Sequence, residues 1–124
     1  MSDPQLTPHF NLREFRCPCC NQADPVTALE LAERLEQVRP DFGPIAILSG
    51  FRCPKHNAAV KGAQNSYHLL GLAADIAVSG DSARFNLIKS LIWHGWKRIG
   101  IAALYVHADL GPTDTPVIWT YYHA

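Results

Sequence analysis

Apolar positions along the chain alternate between helical and extended spacing. Val26, Leu29, Ala32, Leu35 and Val38 recur every three or four residues, with Glu33 and Glu36 between them. That spacing predicts an amphipathic helix over about 25–39. Asp24 is a natural cap, Pro25 suits the first helical position, and Pro40 and Gly43 are expected to end the helix. Phe85, Ile88, Leu91 and Ile92 predict the apolar face of another helix, opened by the Ser79-Gly80-Asp81-Ser82 turn and closed near Gly95. Short apolar runs read as strands: Ile45–Leu48, Ala73–Val78, Ile99–Ala103, Leu104–Leu110 and Val117–Tyr121. Asn11–Phe15 reads as a short helical turn, Pro54–Val60 as one or two turns, and Met1–Pro8 as an irregular lead-in. Helices alternating with strands and then several strands in succession predict an α+β fold, with a mostly antiparallel sheet and helices on one side.

The chain has 124 residues and a mass of 13.7 kDa, which suits a single domain over 1–124, with 1–23 as a lead-in that carries a cysteine cluster. Eleven basic residues balance eleven acidic ones, so electrostatic capture of nucleic acid or of an anionic membrane is not expected. No apolar run approaches the ~20 residues that span a bilayer, and the start MSDPQLTPHF lacks the basic and apolar stretches of a secretory signal. The expectation is a protein made in the cytoplasm. Oligomeric state is silent.

The densest chemistry lies in Ser66–Ala77, SYHLLGLAADIA. His68 precedes a strand that carries Asp75, with the small residues Gly71 and Ala73 between them. Imidazole and carboxylate are good zinc ligands, and a catalytic zinc takes three protein ligands. His107, in YVHAD, is the third candidate, and shares its strand face with Tyr105 and Asp109. Arg52 offers a permanently charged fork of donors to a carboxylate or an oxyanion.

The four cysteines are Cys17, Cys19, Cys20 and Cys53. Cys17 and Cys20 form a C-x-x-C pair, and Cys53 and His56 a C-x-x-H pair. Cys17, Cys20, Cys53 and His56 together suit a tetrahedral structural metal site. A disulfide from Cys53 to the N-terminal cysteines, or plain buried thiols, are the other readings. Trp93, Trp96 and Trp119 read as core or rim, with Trp96 or Trp119 as a cleft wall in the alternative, His94 as a helix-end residue, and His9 and His123 as solvated residues near the termini.

Ser66-x-His68-x-x-Gly71-x-Ala73-x-Asp75, with His107 downstream, resembles the zinc D-Ala-D-Ala carboxypeptidases, the M15 peptidases and their hedgehog-like fold relatives. Ser49-Gly50-Phe51-Arg52-Cys53-Pro54-x-His56-Asn57 resembles the SGYR segment of that family, with Phe51 in place of Tyr. HFNLREFRCPCC resembles the opening of its small phage-associated branch. The resemblance implies a DD-peptidase-like fold and zinc on His68, Asp75 and His107. It also implies substrate contacts from Arg52 and Ser66, and peptidoglycan stem or cross-link peptides as substrate. A phage lysis enzyme released to the cell wall is the implied setting. Many branches of the family carry a Glu three residues before the last His ligand, or a His two before it; here Leu104 and Tyr105 stand there. Asp109 is the local candidate for general base, or for a carboxylate that orients His107. A non-catalytic binding or phage structural module of the same fold is the alternative.

Overall fold

The computed structural model describes residues 3–121; the expectation for His123 lies outside them. Strands β1 (Gln5–Thr7) and β2 (Phe10–Asn11) pair antiparallel. The lead-in is therefore not irregular throughout. The hairpin buries Phe10, and the Asn11 side chain caps a 3-10 turn at Leu12–Phe15 in a reciprocal box with Glu14.

Helix α1 runs over Pro25–Phe42, capped by Asp24, whose carboxylate accepts from the Val26 N–H. Its inward stripe is Ala28, Leu31, Ala32, Leu35 and Val38, while Val26 and Leu29 are exposed. Two overlapping stripes of helical period run through this segment, and at its start the fold buries Ala28 and Leu31 rather than the predicted Val26 and Leu29. Pro40 does not end the helix, which continues to Phe42. Proline there removes one backbone hydrogen bond. Burial of Val38, packing of Phe42 against the core, and Asp41 bonded to Ser90 and His94 hold the last turn.

Strand β3 (Ile47–Ser49) leads into helix α2 (Pro54–Ala59), then a 3-10 turn at Tyr67–Leu70 and strand β4 (Ala73–Ala77). Helix α3 (Asp81–Trp93) is followed by β5 (Arg98–Ile101), β6 (Tyr105–Asp109) and β7 (Val117–Thr120). The buried side of α3 is Leu87, Ser90 and Leu91, with Ile88 packed beside the core, whereas Phe85 and Ile92 face solvent. Apolar residues surround most of this helix, so spacing alone did not single out the inward face. Among the described residues no helix is long and apolar enough to cross a membrane.

The sheet has the order β3-β4-β6-β5-β7, antiparallel throughout except for the parallel β5–β7 pair. The fold is α+β with a mixed, mostly antiparallel sheet, compatible with the M15-like architecture. Alternation gives the sheet two unlike faces. Ala74, Ile76, Ile99, Val106 and Ala108 join Leu31, Leu35, Val38, Leu87 and Leu91 in one core. The opposite face carries the polar residues. Register aligns Ser49, Asp75, His107, Gly100 and Trp119 in a row across all five strands.

Candidate metal centre

His68 enters this row from the 3-10 turn. Ser66 caps that turn, its Oγ accepting the His68 N–H at 3.2 Å. Gly71 ends it at φ +71°, a left-handed conformation glycine adopts without steric cost, and a Cβ there would meet the Thr27 hydroxyl at 2.5 Å. The chain thereby reverses into β4 with Asp75 beside His68. Asp75 and His107 are direct partners in the β4–β6 ladder.

His68, Asp75 and His107 each offer one donor atom, all within 4.8 Å of one another, and all three residues are buried. Their outer atoms are already committed. His68 Nδ1 donates to the Gly50 carbonyl at 2.6 Å, which leaves Nε2 with a bare lone pair. His107 Nε2 donates to Asp109 Oδ2 at 2.7 Å, leaving Nδ1 inward. The inward nitrogens flank Asp75 Oδ1 at 3.1 and 3.0 Å. Three electron-rich atoms thus converge where a cation belongs. Ligand atoms around a tetrahedral zinc lie about 3.3 Å apart, so the donor set and its spacing fit zinc.

Burial alone would raise the Asp75 pKa, but bonds to His107 and His68 hold it well below the usual carboxylate range. Burial would lower that of His107; Asp109 and Asp75 reverse this and raise it. Asp109 is buried, which opposes its charge, yet His107, the Gly111 N–H and Arg98 keep its pKa low. Both Asp109 oxygens are engaged: Oδ2 with His107, and Oδ1 with Arg98 Nε at 2.7 Å and the Gly111 N–H at 2.9 Å. Its position is behind His107, where it fixes the ring.

Arg52 reaches the other Asp75 oxygen, Nη2 donating to Oδ2 at 3.0 Å. Its Nε donates to Ser49 Oγ at 3.0 Å, and Nη1 to Asn57 Oδ1 at 3.3 Å. A guanidinium has five N–H groups, so each terminal nitrogen keeps one for a ligand.

These residues line a cleft of about 610 Å³. Its wall includes Tyr67, Trp119 and Tyr121; of these the sequence offers only Trp119 as a cleft residue, as the alternative to a core or rim role. The Trp119 ring lies 5.4 Å from that of His107, and Arg98 stacks over Tyr67 and Trp119 at 5.0 and 5.2 Å. Alternation over 117–121 put Trp119 and Tyr121 on one strand face. Only the parallel β5–β7 register places that face beside His107. Gly100 makes this approach possible, since a Cβ there would lie 2.7 Å from Trp119 Nε1.

The cysteines gather separately. Cys17, Cys20 and Cys53 bring their sulfurs within 4.8 Å of one another, and His56 does not join the group. The expected fourth donor is thus displaced, because His56 follows the N-cap residue Cys53 into α2 and contributes its backbone N–H to Cys53 Sγ instead. All four cysteines are free thiols rather than a disulfide. Burial raises the Cys17 pKa, but N–H groups of Cys53, Cys20 and Cys19 outweigh it and bring the thiol down to about 7.

A family model described as Peptidase M15 matches residues 8–109, a span that holds His68, Asp75, His107, Arg52 and all four cysteines but ends before Trp119. No curated protein matches the chain.

Proposed function

The chain belongs to the M15 peptidase family, and from that premise we propose that it is a zinc-dependent hydrolase of peptidoglycan stem or cross-link peptides. The observation that carries this reading is the convergence of His68 Nε2, Asp75 Oδ1 and His107 Nδ1 with their outer atoms already satisfied. Zinc, when bound by these residues, supplies Lewis acidity that acidifies water and polarises a scissile carbonyl.

The chain's own residues then divide the work. The spare N–H groups of Arg52 receive the substrate carbonyl oxygen, or the terminal carboxylate of a stem peptide. Asp109 locks the His107 ring and keeps Nδ1 available as a ligand. Ser66 holds the backbone of the His68 turn and exposes its hydroxyl to the cleft. Tyr67, Trp119 and Tyr121 offer an apolar wall against which short side chains pack. The setting that follows is the cell wall after release of the protein, as in a phage lysis enzyme.

A second reading has its own observation. Among the described residues lining the cleft, Asp109 is the one carboxylate besides Asp75, and both its oxygens are occupied. A site without a free carboxylate base favours a zinc-holding binding or phage structural module of the same fold. Mass spectrometry of muropeptide monomers and dimers, incubated with protein and with or without chelator, separates the two. Loss of one alanine from a pentapeptide stem identifies a carboxypeptidase, and conversion of dimers to monomers an endopeptidase. Unchanged masses with zinc-loaded protein leave the binding module.

A further inference from the structure

We propose that Cys17, Cys20 and Cys53 hold a second, structural metal ion of the zinc class, separate from the His68–Asp75–His107 centre. Cys17 Sγ and Cys53 Sγ are 3.7 Å apart, and Cys20 Sγ lies within 4.8 Å of both. Thiolates bound to tetrahedral zinc at about 2.3 Å lie about 3.8 Å from one another. A disulfide needs about 2.05 Å and joins only two of the three.

The backbone is arranged for sulfur as an acceptor. The Cys53 N–H points to Cys17 Sγ and the His56 N–H to Cys53 Sγ, each at 3.4 Å. The loop that presents Cys17 and Cys20 is a tight, closed turn. Asn21 N–H donates to the Cys17 carbonyl at 2.7 Å, Cys17 N–H to the Gln22 carbonyl at 2.8 Å, and Asn21 sits at φ +59°. Asn is among the few non-glycine residues that adopt this left-handed conformation readily, which suits it to closing the turn. Cys17 is buried, Cys20 and Cys53 half-buried and Cys19 exposed.

The location gives such an ion a purpose. Cys53 directly follows Arg52, and the Phe51 N–H is bonded to the Phe15 carbonyl at 2.9 Å. A metal shared by Cys17, Cys20 and Cys53 fastens the N-terminal segment to the loop that aims Arg52 at Asp75. It is a staple for a small chain, and contributes folding energy through its ligands.

Metal analysis of reduced protein, purified without chelator, tests this together with the spectrum of the cobalt(II)-substituted form. The expected result is two zinc equivalents per chain and a thiolate-to-cobalt charge-transfer band, which His and Asp ligands do not produce. Cys20→Ser should lose one equivalent and the band, whereas His68→Ala should lose one equivalent and keep the band. One equivalent accompanied by the band supports the thiolate site and counts against the His68 centre. No band in folded, reduced wild-type protein overturns the proposal, and that result needs no variant to fold.

Discussion

His68, Asp75 and His107 take their places from a strand ladder and a capped turn at the middle of the sheet, whereas Cys17, Cys20 and Cys53 come from two loops, with Cys17 and Cys53 separated by 36 positions. The first cluster is rigid before any ion arrives. Its outer atoms are bonded to Gly50, Asp109 and Arg52. The second is held by hairpin-like turns and amide contacts to sulfur. A reactive centre needs its donors fixed in advance, with room left for substrate. A fastening site gains by drawing together segments that are distant in the chain. The two regions meet at Arg52 and Cys53, which are adjacent in the chain and serve different clusters.

Removing Asp75 should divide the two regions most sharply. Asp75→Ala deletes a metal donor and leaves the half-buried Arg52 without its carboxylate. Breaking a buried pair on one side costs about 3–5 kcal/mol. Metal at the His68 centre and peptidase activity should both vanish, with a lower denaturant midpoint, while the cobalt–thiolate band stays. Loss of that band in folded Asp75→Ala protein would mean that the clusters are not independent.

Cys53→Ser attacks the other side. Its expected cost is about 1–3 kcal/mol, and thermal melting should fall by about 3–5 °C per kcal/mol. Activity should weaken through Arg52 while one metal equivalent remains on His68, Asp75 and His107. An unchanged melting temperature would remove the fastening role.

Asp109→Asn sharpens the description of the first cluster. A carboxylate that orients a ligand changes metal affinity or activity by roughly 10–100-fold when lost. Titration with a competing chelator should therefore show weaker zinc binding, with the fold intact by circular dichroism. Undiminished zinc affinity with abolished turnover would instead make Asp109 the general base.

Gly100→Ala should act on the cleft wall alone. The new Cβ pushes Trp119 away from His107, so KM for a peptide substrate should rise a few-fold while zinc content is unchanged. A fall in kcat with KM constant would place Trp119 nearer the reacting atoms than its wall position implies.

The smallest effect concerns the hairpin that leads toward Cys17. Burial opposes the Glu36 charge, but bonds from the His9 ring and backbone N–H lower its pKa from the usual 4.5. A depressed carboxylate stabilises the folded state above 4.5, and that contribution is lost as pH falls through the lower folded value. Glu36→Gln should cost within about 1 kcal/mol at neutral pH. Its melting temperature should converge with wild type in acid, and neither metal site should change.

Local chemistry made much of this legible from the sequence. Asp24-Pro25 marks the start of α1, and Ser66-x-His68 with Asp75 marks a turn feeding a strand, because caps and alternation act over a few residues. The α+β class followed from the order of such segments. The inward faces of α1 and α3 were not legible, since both helices carry more apolar positions than one stripe uses, and contact with the sheet selects among them. The continuation of α1 through Pro40 depended on Asp41 meeting Ser90 and His94, far along the chain.

The same division holds for the functional residues. Residue types and their spacing name the available donors: two histidines and an aspartate suited to zinc, a cluster of thiols, and an arginine beside one of them. Folding of the whole chain puts Asp109 behind His107 with both oxygens engaged, keeps His56 out of the cysteine group, and brings Trp119 against His107. Side-chain type is a local property, whereas partnership depends on strand register and loop closure between distant segments. Those are set by packing of the whole chain.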